Sequence, residues 1–104
     1  MRMTQTLHSL TTPCLLLDEK KMMRNIIRLR SHASKLKVSL RPHLKTAKCV
    51  EITKRQLEDN NGSATVSTLK EAEIFAAAGV KDIIYAVGIS PDKLARVLEI
   101  RDTG

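Results

Sequence analysis

The residues best suited to chemistry lie in one short stretch, residues 38–48, which reads VSLRPHLKTAK. Arg41, His43 and Lys45 occupy odd positions, whereas the even positions hold Val, Leu, Pro and Leu, as in a strand with one basic and one apolar face. Burying three cations is costly unless an anion offsets them. Desolvation and neighbouring positive charge also favour the neutral form of a lysine, which is the form that attacks a carbonyl carbon. The stretch therefore indicates an anion site with an amine nucleophile, or else the solvated basic face of an antiparallel strand.

The elements around this basic stretch form two strand–helix units. A short apolar run at residues 15–17 is followed by Asp18, whose carboxylate can accept hydrogen bonds from the first free amides of a helix. Apolar residues then recur at spacings of three and four over residues 22–36, which predicts an amphipathic helix. The basic strand comes next, with irregular pairing expected at Pro42 because proline lacks a backbone donor. A second helix is predicted over residues 50–60.

Two further units complete the chain. Residues 64–67 are a short strand candidate, and TLKE at residues 68–71 fits a capping box, in which a hydroxyl and a carboxylate each satisfy an amide at the start of a helix. Gly79 is expected to end that helix. DIIYAV at residues 82–87 is the clearest strand, and Ser-Pro-Asp at residues 90–92 is typical of a helix start.

This alternation predicts an α/β fold with a parallel sheet and right-handed crossovers. Two architectures compete: an open doubly wound sheet, and a (β/α)8 barrel of about 250 residues. In a barrel, the apolar face of the basic strand packs on the outer helices and the basic face looks into the lumen, with Lys45 at the C-terminal end where barrel active sites lie. We predict four consecutive β-α units over residues 1–104, the N-terminal half of a TIM-type barrel, cut off at Gly104 before the next strand.

Composition narrows the class of protein. The chain has 104 residues, 42% of them apolar and 28% charged, with a formal net charge of +7, which is typical of one small soluble domain. No acidic residue occurs between Lys20 and Val50, so these bases either solvate a helix face or bind an anion. Nucleic acid is not expected, because base stacking needs aromatic residues and the basic stretch has none. Cys14 and Cys49 make neither a disulfide framework nor a zinc site, which favours reduced thiols in the cytoplasm, and no signal peptide or membrane span is expected.

The basic stretch also carries a resemblance to a known family. RPHLKTAK at residues 41–48 resembles the lysine motif of the D-threonine aldolase and D-serine dehydratase family, fold-type III pyridoxal-phosphate enzymes whose barrel is similar to that of alanine racemase. Three flanking segments resemble the first strand, the third strand with its helix start, and the fourth unit of that family: TPCLLLD (12–18), TVSTLKEAE (65–73) and DIIYAVGISPDKL (82–94). Ala47 stands where many members have histidine. The resemblance covers nearly the whole chain and implies a partial barrel domain that lacks the family's C-terminal β domain.

The resemblance also implies roles for particular residues. Lys45 matches the lysine that forms a Schiff base with pyridoxal 5′-phosphate, and His43 and Arg41 are expected to contact the phosphate or the ring. The substrate implied is a D-amino acid, which is either cleaved to glycine and an aldehyde or loses its hydroxyl group and then releases ammonia. Family members use a divalent metal held by a C-terminal segment, so no metal ligand is expected in this chain, and a homodimer is compatible with the full-length enzyme.

Two other classes of function stay open. One is a non-catalytic barrel protein that binds pyridoxal phosphate and regulates another process, and this class is distinguished by the absence of a downstream metal-ligand segment. The other is a basic anion-binding domain without a cofactor, which would bind nucleic acid in a salt-sensitive way and show no imine absorbance.

Overall fold

The structure, a computed structural model, describes residues 5–57 and 62–103 and has an α/β fold. Its regular elements, in chain order, are α1 (Glu19–Lys35), α2 (Val50–Leu57), β1 (Ser63–Val66), α3 (Leu69–Ala77), β2 (Asp82–Tyr85) and α4 (Leu94–Asp102). Single 3₁₀ turns at Leu7–Ser9 and Pro91–Lys93 precede α1 and α4. The predicted end of the second helix at residues 60–61 and the expected break at Gly104 lie outside the described residues.

All four predicted helices are present, and the predicted capping residues start two of them. The Asp18 carboxylate accepts a hydrogen bond from the backbone N–H of Lys21 at 3.0 Å, which fixes the start of α1. Thr68 accepts one from the backbone N–H of Glu71 at 3.0 Å at the start of α3. Gly79 follows α3 with a φ of 99°, a left-handed conformation that glycine adopts without steric cost.

Three chain segments lie side by side in parallel. β1 pairs with β2 in parallel along all four residues of each strand. On the other side of β1, the basic stretch makes a single parallel bridge between His43 and Thr65, in which Leu44 N–H donates to Thr65 O at 2.9 Å and Thr65 N–H donates to Pro42 O at 2.8 Å. The parallel bridge rules out the antiparallel alternative for this stretch, and its shortness agrees with the irregular pairing expected at Pro42.

Two of the four predicted strands are not formed as strands. Residues 15–17 are outside any sheet, and the Leu15 side chain is fully exposed. The basic stretch contributes only its one bridge. The described residues thus contain two complete β-α units rather than four. An apolar run indicates that a segment can be a strand, but a ladder also needs a backbone partner, and that partner is not encoded in the run itself.

The core lies between the sheet and helices α2 and α3. Its buried residues are Leu44, Leu57, Ala64, Val66, Ala72 and Phe75. Helix α1 contributes less than its sequence predicts: Ala33 is buried, but Leu29 and Leu36, which share its apolar stripe, are exposed. The predicted amphipathic helix therefore exists, with its stripe only partly covered.

The described part of the chain is open rather than closed on itself. Its radius of gyration is 16.7 Å, against roughly 13 Å for a compact chain of about 100 residues. Large apolar side chains remain exposed, among them Leu15, Leu16, Leu17, Ile84 and Val87. Among the described helices, none combines the length and apolar character needed to cross a bilayer.

Candidate active site

Lys45 lies where the basic stretch leaves the sheet. Directly after the bridge at His43 the chain turns, and the backbone N–H of Lys48 donates to the carbonyl oxygen of Leu44 at 3.0 Å. We call residues 44–48 the lysine turn. The Lys45 side chain is exposed in it. Because parallel strands end at the same edge, Lys45 stands at the C-terminal edge of the sheet, where α/β proteins place their ligands.

The predicted alternation of the basic stretch holds only around its bridge, since Val38 of the predicted apolar face is exposed. Leu44 is only 1% exposed and packs in the same core cluster as Val66, on the helix side of the sheet. Alternation places His43 and Thr65 on the opposite face, which the helices leave open. His43 is half-buried there, and its Nδ1 accepts a hydrogen bond from the backbone N–H of Lys45 at 3.3 Å. The structure therefore brings His43 and the lysine turn into contact.

Arg41 is placed differently from its prediction. Its guanidinium binds the Asp82 carboxylate through both terminal nitrogens, at 2.9 and 2.6 Å, and also donates to the carbonyl oxygens of Ala64 at 3.2 Å and Asp82 at 3.1 Å. Ser63 Oγ donates to the same carboxylate at 2.9 Å. This cluster joins the basic stretch, β1 and β2 where the two strands begin.

The position of Arg41 changes its electrostatic effect on Lys45. Arg41 donates to carbonyl oxygens near the start of β1 and β2, whereas Lys45 lies in the turn that follows the bridge at His43. Arg41 is therefore at the N-terminal edge of the sheet and Lys45 at the C-terminal edge. Hydrogen bonding to Asp82 raises the pKa of Arg41, and Arg41, followed by Ser63, lowers the pKa of Asp82. The two charges compensate each other. The expectation that Arg41 supplies free positive charge beside Lys45 is therefore corrected: the guanidinium is paired and at the far edge.

A second carboxylate, that of Glu71, lies at the C-terminal edge of the sheet, as the lysine turn does. Glu71, in the first turn of α3, is 6% exposed, although its element begins just beyond the C-terminal end of β1. Thr68 Oγ1 donates to its Oε2 at 2.6 Å and Ser67 Oγ donates to the same atom at 3.2 Å. Sequence reasoning identified Glu71 as half of a capping box and Asp82 only as part of a strand. The capping box predicts that Glu71 lies at a helix start. The burial of Glu71 and the pairing of Asp82 with Arg41 depend on distant residues and cannot be predicted from spacing.

Metal ligands are a separate question. Within residues 5–57 and 62–103, no group of three or more His, Cys, Asp or Glu side chains is arranged to hold a metal ion. The thiols of Cys14 and Cys49 are both free, the first exposed and the second half-buried. The chemistry that the described site offers is therefore that of an exposed amine beside an imidazole.

Comparison with curated proteins gives a consistent set of relatives. No protein-family model matches the chain. It is 44% identical over 102 residues to D-threo-3-hydroxyaspartate dehydratase from Delftia sp. (strain HT23), covering 98% of this chain and 27% of that protein. D-serine dehydratase from Dictyostelium discoideum is 39% identical, over 85% of this chain and 23% of its own length. D-threonine aldolase from Arthrobacter sp. is also 39% identical, over 81% of this chain and 22% of its length. The chain spans about a quarter of the length of these relatives.

Solved structures agree with the sequence relatives. The Delftia dehydratase superposes with a TM-score of 0.91 at 44% identity, covering 97% of this chain and 27% of that one. A variant of the same dehydratase has been solved in a metal-free form. An alanine racemase-like protein from Idiomarina loihiensis superposes with a TM-score of 0.83 at 48% identity, over 90% of this chain and 25% of that one.

The parallel α/β arrangement matches the fold of an alanine racemase-like protein. More particularly, the chain belongs to the family of D-threo-3-hydroxyaspartate dehydratase, D-serine dehydratase and D-threonine aldolase. The motif RPHLKTAK led to this family from sequence, and the comparisons confirm the family.

Proposed function

We propose that the complete protein is a pyridoxal-phosphate-dependent lyase acting on D-amino acids and that Lys45 is the covalent anchor of the cofactor. The observation that carries this proposal is the placement of Lys45: its exposed side chain stands at the C-terminal edge of a parallel sheet, at the end of the motif-bearing segment. The dehydratase and aldolase names of the relatives support the reaction class.

The residues present fit this cofactor in type and position. When bound, pyridoxal phosphate supplies an electron sink for negative charge that develops on the substrate. Lys45 is the residue that would hold this group covalently, through its side-chain amine. His43, which contacts the backbone of Lys45 at 3.3 Å, is proposed as the neighbouring cofactor contact. The predicted cofactor contact of Arg41 would require that its pairing with Asp82 be rearranged, so we assign it to strand positioning instead.

We further propose that residues 1–104 form the N-terminal half of a (β/α)8 barrel domain. Three parallel segments with helices on one face, an open opposite face and the match to alanine racemase-like structures support this architecture. On this proposal, the open face becomes the barrel lumen, and the exposed apolar residues near the sheet are covered by later strands. The two strands not seen as ladders would then pair with neighbours across the closed barrel.

The remaining features of the complete protein follow by the same reasoning. The relatives include both dehydratases and aldolases, so elimination of water and retro-aldol cleavage are both candidates for a β-hydroxy D-amino acid. A relative solved in a metal-free form supports a divalent metal, with ligands outside this chain. We propose a cytoplasmic enzyme, in keeping with its free thiols, that assembles as a homodimer and needs no nucleic acid partner.

The anchor can be tested by chemical trapping. Pyridoxal phosphate is added to the complete protein, the adduct is reduced with borohydride, and the labelled peptide is mapped. The label is expected on Lys45, and Lys45→Ala should lose that label and lower turnover of D-threonine or D-serine by on the order of a thousandfold. Lys70→Ala, which removes an exposed amine on α3, is the matched control and should keep both properties.

The same experiment separates the competing functions. A label on another lysine, or full turnover by Lys45→Ala, would remove Lys45 from the site. A label on Lys45 with no turnover of any β-hydroxy D-amino acid would favour a non-catalytic cofactor-binding protein. No absorbance change on adding the cofactor, together with salt-sensitive binding of nucleic acid, would favour the anion-binding alternative.

A further inference from the structure

The imidazole of His43 is held against the backbone of the lysine turn. Its Nδ1 accepts a hydrogen bond from the backbone N–H of Lys45, two residues further along the chain, at 3.3 Å. Asp and Asn side chains accept a bond from the same backbone position in Asx turns. The backbone of His43 is itself fixed by its bridge to Thr65, and the lysine turn is closed by its own hydrogen bond. The bridge and the turn therefore place both partners of this contact.

The contact also determines which ring nitrogen carries the proton. A neutral imidazole has one N–H donor and one acceptor nitrogen. Since Nδ1 of His43 accepts a bond from Lys45, it carries no proton of its own, and the proton of the neutral ring is on Nε2. A doubly protonated ring would set two donors against each other at this contact. The backbone therefore favours the neutral ring with its donor at Nε2.

That donor is left without an acceptor. In the part of the chain that the structure describes, Nε2 of His43 has no hydrogen-bond partner. Nε2 is the ring nitrogen farther from the backbone, so it lies on the open face, where Thr65 is the neighbour across the bridge. The Asp82 carboxylate does not serve as its acceptor, because both of its oxygens are bound by Arg41. An N–H donor on an open face, next to the exposed Lys45, is available to a ligand.

We propose that His43 binds its ligand as a hydrogen-bond donor, through Nε2–H, and that the backbone of Lys45 keeps the ring in this tautomer. The inference rests on the proposed function of the site and gives the chemistry of its imidazole. The ligand atom must be an acceptor, namely an oxygen of pyridoxal phosphate or a carboxylate oxygen of the D-amino acid. The basic nitrogen of the neutral ring, Nδ1, is used by the backbone, so His43 does not take a proton from the substrate.

The tautomer is measured first, in the cofactor-free complete protein. Histidine is labelled with nitrogen-15, and long-range proton–nitrogen correlations at alkaline pH, where imidazoles are neutral, distinguish the two tautomers. The signal of His43 is identified by its absence from the spectrum of His43→Asn. We expect the Nε2–H tautomer. A ring protonated at Nδ1 would overturn the inference, whether or not the cofactor attaches at Lys45.

Two amide variants separate the roles of the two nitrogens. His43→Asn keeps an acceptor near the position of Nδ1 and removes the donor, whereas His43→Gln places an amide near the position of Nε2 and removes the acceptor. Hydrogen exchange of the Lys45 amide should therefore be unchanged in His43→Asn and faster in His43→Gln. Ligand binding should show the opposite order: His43→Asn weakens it by about tenfold, and His43→Gln recovers part of that loss.

Binding measurements on the same variants identify the acceptor. Weaker pyridoxal phosphate binding by His43→Asn in an absorbance titration would place the acceptor on the cofactor. A higher KM for a β-hydroxy D-amino acid, with unchanged cofactor affinity, would place it on the substrate. Unchanged affinity and unchanged KM in His43→Asn would overturn the inference. His32→Asn, which replaces an exposed histidine of α1, is the matched control and should change neither quantity.

The proposed function and this inference fail in different ways. If the wild type does not attach pyridoxal phosphate at Lys45, the proposed function is wrong. The spectrum of the cofactor-free protein still decides the tautomer of His43, because that contact is made within the chain.

Discussion

Arg41 and Lys45 flank the single bridge of the basic stretch, yet their charges are in different surroundings. Arg41 is bound bidentately by Asp82, at distances of 2.9 and 2.6 Å, a geometry that matches a planar guanidinium to a carboxylate. Lys45 is exposed at the opposite edge. The paired cation ties neighbouring strands together, and the exposed one is available to react. Residue type alone does not separate these two roles, because both follow from the position along the strand.

The Arg41–Asp82 pair predicts a pH-dependent contribution to stability. Since the pKa of Asp82 is lowered in the folded protein, the unfolded state binds more protons in the acid range. The stabilisation is therefore present above the ordinary pKa of aspartate, roughly 4, and is lost as the pH falls through the lower folded value. Asp82→Asn should lower the urea midpoint of the complete protein at pH 7, and its deficit should shrink below about pH 4.

A matched carboxylate provides the control. Asp102→Asn removes an exposed carboxylate at the end of α4, which among the described residues pairs with its exposed neighbour Arg101, so its midpoint should stay close to that of the wild type at every pH. A deficit of Asp82→Asn that is the same at pH 7 and pH 3 would mean that the charge pair does not contribute as described.

At the scale of elements, helix α3 does most to hold the site in place. It starts just after β1 with a capped turn, and its side chains Ala72 and Phe75 pack in the buried cluster that contains Ala64 and Val66 of β1. Leu44, at the start of the lysine turn, is buried in the same cluster. The strand, the helix and the lysine turn are therefore packed as one unit, and loosening α3 loosens the edge at which Lys45 lies.

Phe75 provides the measurement at this scale. It is 2% exposed and the largest side chain among the fully buried residues. Phe75→Ala should lower the free energy of unfolding by about 3–5 kcal/mol, because it loses buried surface and leaves a cavity. Phe75→Leu keeps most of the volume and should cost less than half as much. If urea unfolding gave the same loss of unfolding free energy for both variants, cavity formation would not explain the effect of Phe75→Ala.

At the scale of the whole molecule, the described residues form a sheet that helices cover on one face. The helices cover one face of the three parallel segments, and the other face remains open with Ile84 exposed. The relatives are about four times as long as the matched region. If the proposed function is correct, this chain provides the amine that anchors the cofactor, and residues outside it hold the metal.

This arrangement predicts that cofactor attachment and turnover can be separated experimentally. Treating the complete protein with a chelator should lower turnover of a β-hydroxy D-amino acid by at least about a hundredfold, since a metal that acts as a Lewis acid contributes several kcal/mol. The borohydride label on Lys45 should persist, because no ligand group lies among the residues described around it. Restored turnover on adding back a divalent metal is the control, and loss of the label with the metal would contradict this arrangement.

Local features of the fold were predictable from sequence because they depend on neighbours along the chain. The caps Asp18 and Thr68, the four helices and the two strands before α3 and α4 follow from spacing and capping chemistry within a few residues. Alternation within the basic stretch predicts that Leu44 is buried, as observed, but it also predicts burial of Val38, which is exposed. The family followed from the motif that ends at Lys48.

The sequence by itself therefore determined the four helices, two of their caps, the burial of Leu44 and the family. Only the tertiary structure decided that Arg41 binds Asp82, which lies 41 residues away, and that Glu71 is buried with its Oε2 accepting hydrogen bonds from Thr68 and Ser67. It also decided that residues 15–17 remain without a strand partner in the described chain. The reason is physical: caps and periodicity are short-range properties of a chain, whereas ion pairs, burial and strand partners depend on which distant segments meet in space.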